Sequence, residues 1–430
     1  MKKYILLIFI FLFIFLGIFN IGYSGIAFFL KEKLPDSLQL VLFSIFKNEI
    51  TNKRIQNDAN EVFLPNTQTV NLKFQKILIT DLKDFNSTGY GVNERNKKTF
   101  YIESDKNNIF ILSKKGEILF KKIKNLENIN IKFNKISNNI DGQGIRALDF
   151  FVIQNELFVS LVEKKHDNCE LLVLKKSMIN LDNMKFADIF KSNECQNTGS
   201  IQSGKIKNIT IKSKNYILLT TNIDETANDN KQYFVSNAQK DNSIFGKILL
   251  IDEKNHTSKI LTKGHRNILG LYVNQEKGLI LATENGPRSG DEINKIIEGK
   301  NYGWNISSYG EKYGSKSLNY IDPDYKKNHE KLSYEEPIFS FVPSIAPTEI
   351  IKIDNSFSNL WEDNFLMGSL VSKTLYRIKF DRKFSRIIFI EKIFIGERIR
   401  DLLYLKDEKK ILLSLEDTGS LGILSLHSSY

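Results

Sequence analysis

From Val70 onward, apolar and polar residues alternate in short runs bounded by Asn, Asp, Lys or Gly, and each such run predicts a β-strand. The runs are Phe74–Ile79, Thr99–Ile102, Asn108–Leu112, Glu117–Phe120, Leu148–Ile153, Glu156–Leu161 and Leu171–Lys175. They resume at Lys207–Ile211, Tyr216–Thr221, Lys247–Asp252, Ser258–Leu261, Leu269–Val273 and Gly278–Thr283. A last group follows at Phe365–Gly368, Thr374–Phe380, Arg386–Ile395, Ile399–Leu405, Ile411–Leu415 and Ser420–Leu424. Helical periodicity is nearly absent beyond residue 60, so the class is all-β. So many strand–turn–strand pairs in one chain predict a propeller, although the repeats are too unlike to count blades. Glu335–Pro347 and Tyr313–Lys331 read as loops between blades.

The amino-terminal pattern is different. Lys2-Lys3 precedes an apolar run from Tyr4 to Leu30 that ends at Lys31-Glu32-Lys33. It is long enough to cross a bilayer and predicts an uncleaved transmembrane anchor over residues 1–33, amino end cytoplasmic and the rest exported. Residues 34–69 read as a connector: Ser37–Ile50 has helical apolar spacing and Asn52–Asn66 is polar and loop-like. Residues 70–430 then form the propeller domain.

Charge and cysteine refine this picture only slightly. The net charge of +11 is spread among Asn, Ile and Glu and not stacked in blocks, which suits a solvated basic surface near anionic lipid better than a nucleic-acid groove. The only cysteines, Cys169 and Cys195, either pair across one long loop or remain two buried thiols, and their spacing is no zinc pattern. Gly142-Gln143-Gly144-Ile145-Arg146-Ala147 fits a nucleotide fingerprint formally but precedes a strand where that motif opens a helix.

The densest run of glycine, charge and aromatic residues is Gly264–Gly310. Within it, Gly286 permits close approach to the backbone, Pro287 removes a donor so that carbonyl oxygens face outward, and Arg266 offers a planar fork of donors. Gly264-His265-Arg266-Asn267 is followed by Glu284-x-Gly286-Pro287-x-x-Gly290-Asp291-Glu292-Ile293-Asn294 and then by Gly299-Lys300-Asn301-Tyr302-Gly303-Trp304. With Pro343-Ser344-Ile345-Ala346-Pro347, Arg398-Ile399-Arg400-Asp401 and the upstream Phe245-Gly246-Lys247-Ile248-Leu249, this string resembles the glucose/sorbosone dehydrogenase family, the soluble-type quinoprotein aldose dehydrogenases. The resemblance covers roughly residues 75–425.

That resemblance implies a six-bladed β-propeller with pyrroloquinoline quinone (PQQ) over its central channel and Ca2+ polarising the quinone. The main-chain oxygens of Gly286 and Pro287 correspond to the calcium ligands, while Glu292 and the Tyr302 carbonyl correspond to a structural calcium site. Arg398 and Arg400, two apart on a strand and so on one face, correspond to the grip on the quinone carboxylates. Arg266 and Asn267 correspond to the pair facing substrate or cofactor. The family's lysine near the cofactor falls around Val371, with Lys373 beside it.

One element of the family is missing. Its base histidine corresponds to Ile201 or Gln202 here, and neither accepts a proton. Glu284 is the carboxylate nearest the calcium pair in sequence and the candidate substitute; His265, next to Arg266, is within reach of the site or has a packing role. Two functions follow. The first is a membrane-anchored, periplasm-facing sugar dehydrogenase of the cytoplasmic membrane that passes electrons to a respiratory acceptor. The second is a catalytically inactive propeller that binds a glycan, cofactor or partner protein.

Overall fold

The computed structural model describes residues 61–64, 70–80, 82, 85–86, 96–126, 132–222, 237–287, 289–310 and 329–427. The expected membrane helix over residues 1–33 and the helical stretch Ser37–Ile50 lie outside them. Among the described residues no helix is long and apolar enough to cross a membrane. The described residues form six largely antiparallel sheets arranged as blades, and a separate two-stranded sheet pairs Phe85–Asn86 with Asn96–Lys97.

Blade 1 is Phe100–Ser104, Asn108–Ser113, Ile118–Lys122 and Asn134–Asn138, with Asn183–Met184 added in parallel at its outer edge. Blade 2 is Ile145–Ile153, Glu156–His166, Cys169–Met178 and Ala187–Lys191. Blade 3 is Ile206–Ile211, Lys214–Thr220, Lys247–Asp252 and Ser258–Lys263. Blade 4 is Ile268–Asn274, Leu279–Glu284, Asp291–Lys295 and Phe339–Phe341. Blade 5 is Pro347–Lys352, Phe365–Ser369, Thr374–Phe380 and Ile387–Phe394. Blade 6 takes Ile399–Leu405, Lys410–Leu415 and Ser420–Leu426 from the end of the chain and Leu72–Leu78 and Glu61–Leu64 from its beginning.

Pairing Leu72–Leu78 with Ser420–Leu426 closes the ring. A closed ring leaves no long open sheet edge, which is how propellers avoid edge-to-edge association. Glu61–Leu64 extends that closing sheet, so a strand lies inside the stretch that its polarity made look like loop. Phe339–Phe341 likewise falls within the expected inter-blade loop Glu335–Pro347, where it completes blade 4.

Packing follows from the period-two pattern. The second strands are hidden on both faces, as in Asn108–Ser113 and Leu279–Glu284, because each blade is covered by the next. Six apolar clusters fill the six gaps between consecutive blades. Tyr101, Phe110 and Leu112 of blade 1, for example, meet Phe150, Leu157 and Val159 of blade 2.

Cys169 and Cys195 form a disulfide with Cα atoms 5.0 Å apart. Cys169 is buried and Cys195 exposed, so the expectation of two buried thiols does not hold. Tying the third strand of blade 2 to the approach of blade 3 closes a loop of 26 residues and stabilises by about 3–4 kcal/mol in the chain-entropy account.

The first strand of every blade lines the central channel, and polar contacts from the first and second strands and from the residues ahead of them join the blades around it. Ser414 Oγ donates to Phe100 O (2.7 Å), Thr348 Oγ1 to Ile399 O (2.8 Å), Thr283 Oγ1 to Thr348 O (2.6 Å) and Ser203 Oγ to Ile268 O (2.6 Å). Among these strands, just ahead of Ile206, sits the buried ammonium of Lys205. Its Nζ is 2.7 Å from Asp149, 2.5 Å from Glu349 and 3.4 Å from Asp401, carboxylates of blades 2, 5 and 6. Glu349 Oε2 is held by charge and not by an aligned hydrogen bond. The other oxygens of the set cap backbone: Asp149 accepts from Ile206 N at 2.9 Å, Asp401 from Ile102 N at 2.9 Å, and Glu349 from Leu271 N at 3.2 Å.

Burial pushes the Asp401 carboxyl up, Lys205 pulls it down, and its acidic neighbours leave it at about 6. Removing the ammonium with K205M leaves Asp149 and Asp401 without their ion pair and Glu349 with Lys207 alone, 3.8 Å away, and is expected to cost about 3–5 kcal/mol at neutral pH. Without their cation these carboxylates have folded-state pKa values above the unfolded ones and take up protons on folding. The stability of K205M therefore falls more steeply than that of the wild type as pH rises from about 5 to 8, which denaturant melts across that range will read.

Candidate functional site

Antiparallel order within each blade fixes which loops share a face. The residues entering each first strand and the loop leaving each second strand open at the same end of the channel. That mouth collects Arg266 and Asn267 ahead of Ile268, Glu284–Gly290 after the second strand of blade 4, and Arg398 and Arg400 at the head of blade 6. It also collects Lys114, Arg146, Lys373 and Glu416. All the expected quinone-facing groups therefore lie on one face.

On blade 6, Arg398 and Arg400 do point to one side, and an anion does lie between them. It is the wholly buried carboxylate of Glu416: Arg398 Nε donates to Oε1 and Arg400 Nε donates to Oε2, the latter at 2.8 Å. Burial pushes the Glu416 carboxyl up, but Arg400 and Arg398 outweigh it and draw its pKa down to about 2. One carboxylate between two guanidinium groups leaves an excess positive charge facing the mouth. Lys373, the near match to the family lysine, joins this cluster by pairing with Asp417 at 2.7 Å. Asp417 also accepts the Arg398 N–H at 3.3 Å.

On blade 4 the backbone is clamped from two sides. Asp291 accepts Gly286 N at 2.9 Å through one oxygen, and Ile345 N and Ala346 N at 2.7 Å through the other. A Cβ at position 286 would meet the carbonyls of Ser289 and Gly290 at 2.4 Å, so only glycine fits there. Glu284 accepts the Arg266 N–H and pairs with His265 Nδ1 at 2.9 Å. His265 is fully buried, 2.9 Å from Thr262 through Nε2 and stacked on Tyr302. It is a packed internal residue that faces Glu284 and not the mouth.

The Arg266 guanidinium lies over the Trp304 ring and donates to Asn285 O at 2.8 Å and Gly286 O at 2.7 Å. The buried side-chain oxygens of Asn267, Asn285 and Asn294 have no partner. The orphaned amide oxygens are of the kind a hard cation such as calcium takes, whereas Gly286 O is engaged by the Arg266 guanidinium and would have to be released to it. Glu292 is buried below them and shares Asn294 Nδ2 (3.1 Å) with Glu284 (3.3 Å). Burial first, and Glu284 second, hold its carboxyl well above the usual range. Tyr302 is spent on packing through its side chain, its hydroxyl donating to Lys295 O at 2.6 Å.

Ile201 belongs to the apolar core between blades 2 and 3. Gln202 turns outward and donates to Gly199 O at 2.7 Å. Neither brings chemistry to the mouth. The carbonyl of Ile201 instead accepts from Arg146, whose other nitrogen pairs with Glu170 at 2.6 Å. Beside Arg146, Lys114 Nζ donates to the Tyr101 hydroxyl at 3.0 Å. Arg146, Lys114, Tyr101 and Glu416 carried no expectation. Arg146 sits in the string set aside as a false nucleotide motif, and Glu416 heads the turn of the hairpin that Arg398 begins. A separate cleft of about 690 Å³, lined by Lys106, Lys122, Lys124 and Lys410 with Glu408, opens at the far end of the channel and contains none of these groups.

A profile of the family described as Glucose / Sorbosone dehydrogenase matches residues 99–423. The aldose sugar dehydrogenase YliI of Escherichia coli (strain K12) is 28% identical over 175 residues, 40% of this chain and 45% of that protein. Quinoprotein glucose dehydrogenase B of Acinetobacter calcoaceticus is 28% identical over 209 residues, 38% of this chain and 43% of that protein. The chain thus spans less than half the length of these curated relatives. In three dimensions it is similar to the apo-form of the soluble aldose sugar dehydrogenase of Escherichia coli, with TM-score 0.62 and 17% identity over 83% of this chain and 100% of that one. The PQQ-bound aldose sugar dehydrogenase of Streptomyces coelicolor gives TM-score 0.55 and 14% identity over 82% of this chain and 98% of that one. At such identities the structural likeness is one of fold.

The Glu416 assignment has a measurable consequence. A carboxyl depressed from 4.5 to about 2 contributes roughly 3 kcal/mol above pH 4.5, lost as pH falls towards 2. E416Q is expected to be less stable at pH 7 and to lack that acid limb in urea melts between pH 5 and 2; an unchanged acid limb would refute the clamp.

Proposed function

Since the chain belongs to the glucose/sorbosone dehydrogenase family, we propose that it oxidises an aldose or similar alcohol with PQQ as oxidant and calcium as Lewis acid. The observation that carries this reading is the cationic mouth: Arg398 and Arg400 share one carboxylate, with Arg146 on the same face. Such a concave, positively charged rim suits a planar polycarboxylate more than a neutral glycan.

In this reading Arg398 and Arg400 receive quinone carboxylates, and Arg266 with Asn267 faces the quinone and the sugar. The oxygens of Gly286 and Pro287 hold calcium, with the orphaned amide oxygens of Asn267 and Asn285 alongside. Glu292 and Tyr302 belong to a second, structural calcium site. When bound, the quinone accepts two electrons and the hydrogen from the alcohol carbon. The chain's own contribution is orientation. Asp291 holds the Gly286 loop, Glu284 holds the Arg266 backbone, and Trp304 supports the Arg266 guanidinium.

The disulfide accords with an oxidising compartment, and the apolar run Tyr4–Leu30 with a cytoplasmic-membrane anchor. We therefore place the propeller on the periplasmic side, near a respiratory electron acceptor. A second reading, a propeller that binds its ligand without turnover, is favoured by one observation: no base occupies Ile201 or Gln202.

Titrating the full-length protein with PQQ, with and without calcium, and then following dye reduction over a sugar panel separates these readings. Calcium-dependent binding with turnover is expected, and R398A or R400A should each weaken binding by about tenfold or more through loss of a charge-assisted contact. No binding at any concentration removes the cofactor; binding with no reduction under any sugar selects the second reading.

A further inference from the structure

A dehydrogenase site needs a proton acceptor, and the mouth must supply one if Ile201 and Gln202 do not. Most of its charged groups are unsuited. Arginine keeps its proton at any working pH, which removes Arg146, Arg266, Arg398 and Arg400. Glu416, at about 2 and locked between two guanidinium groups, is too weak a base. Lys373 is tied up in an ion pair with Asp417 at 2.7 Å. His265 and Glu284 are bound to one another within blade 4.

Lys114 differs from all of these. It stands in the tight turn Lys114–Gly116 after the second strand of blade 1. Its backbone is fixed over the channel, with N donating to Thr99 O at 3.0 Å and O accepting Ala147 N at 2.9 Å. Its amine makes its described contact with a neutral group, the Tyr101 phenol, 3.0 Å from the hydroxyl and 5.5 Å from the ring centroid. The charged groups facing it are Arg146 and Asp149 of blade 2 and Arg400 and Glu416 of blade 6. Both carboxylates are already engaged, Glu416 by two arginines and Asp149 by Lys205, whereas the two guanidinium groups repel an ammonium.

We infer that the Lys114 amine is the base that takes the proton from the substrate hydroxyl. The inference rests on the quinoprotein reading above. The O–H proton passes to the Nζ lone pair, giving an ammonium; the adjacent C–H hydrogen leaves with its electron pair to the ortho-quinone; and the C–O bond becomes C=O. Burial first, then Arg146 and Arg400, holds the Lys114 amine well below its ordinary pKa, so it gives up its proton more readily than an exposed lysine does. Tyr101, pushed up by burial, stays protonated and orients the amine.

Two measurements on the full chain decide the matter. In cofactor-free protein, pulse labelling with acetic anhydride read by mass spectrometry gives the pH midpoint for each lysine. Lys114 is expected to label with a midpoint far below that of exposed Lys259, and R400Q to move it up; an ordinary midpoint near that of Lys259 overturns the inference. With PQQ, calcium and a sugar that the wild type oxidises, K114M and K114R should both lower kcat by about 10²–10⁴ while PQQ binding stays within about threefold. Small primary amines should restore turnover to K114M. Full turnover by K114M overturns the inference and leaves the quinoprotein reading intact. A wild type that binds PQQ but oxidises nothing removes the dehydrogenase reading and this inference with it.

Discussion

One ammonium on the channel axis orders the rest of the molecule. Lys205 sits where carboxylates of blades 2, 5 and 6 converge, and each of those carboxylates also caps backbone on a neighbouring blade. Such an arrangement is weak as a source of net stability, because desolvating four charges offsets most of their attraction. Its value is geometric. Apolar surfaces between blades are non-directional and would tolerate small rotations, whereas four charges sharing one point do not. The first strands are thereby held in register, and every group at the mouth hangs from the head of a first strand or the loop beside it.

Holding the mouth rigid matters because its charges repel. Arg398 and Arg400 of blade 6 and Arg146 of blade 2 flank Lys114 of blade 1, and Glu416 and Glu170 neutralise only part of the guanidinium charge. A flexible rim would spread these groups apart and lower its own energy. In the ring they cannot separate, so the repulsion persists until an anion arrives. That is preorganisation: the reorganisation is done during folding, and binding does not have to supply it.

Much of this was legible in the sequence, and the exceptions have physical reasons. Buried second strands such as Asn108–Ser113 and Leu279–Glu284 announce themselves as apolar runs. Outer strands such as Asn134–Asn138 and Ala187–Lys191 face solvent on one side and read as polar loop. Asp291–Lys295 looks like a charged turn, yet Asp291 and Glu292 are buried. Asp291 is buried because it caps Gly286, Ile345 and Ala346, partners that span more than fifty positions and that no local pattern reveals. Spacing placed Arg398 and Arg400 on one face, but the anion between them came from Glu416 across a hairpin. Lys114-Lys115-Gly116 is the sequence of an ordinary solvated turn; only the ring's closure brings Arg146 and Arg400 against it.

The same cations have two effects on Lys114 that oppose one another once a ligand binds. Before binding, Arg146 and Arg400 lower its proton affinity. A polyanion seated on the arginines cancels part of their field and on its own would return the proton to the amine. Covering the mouth also strips water from Lys114, and burial is already the largest cause of its shift, ahead of either guanidinium. Desolvation, the dominant influence before binding, therefore grows as the influence of the guanidinium groups fades, and the sign stays the same. A histidine, whose ordinary pKa lies near neutrality, needs neither effect. A lysine in that role requires a mouth that is both crowded with cations and closed to water, and this propeller builds the first of these from its own residues.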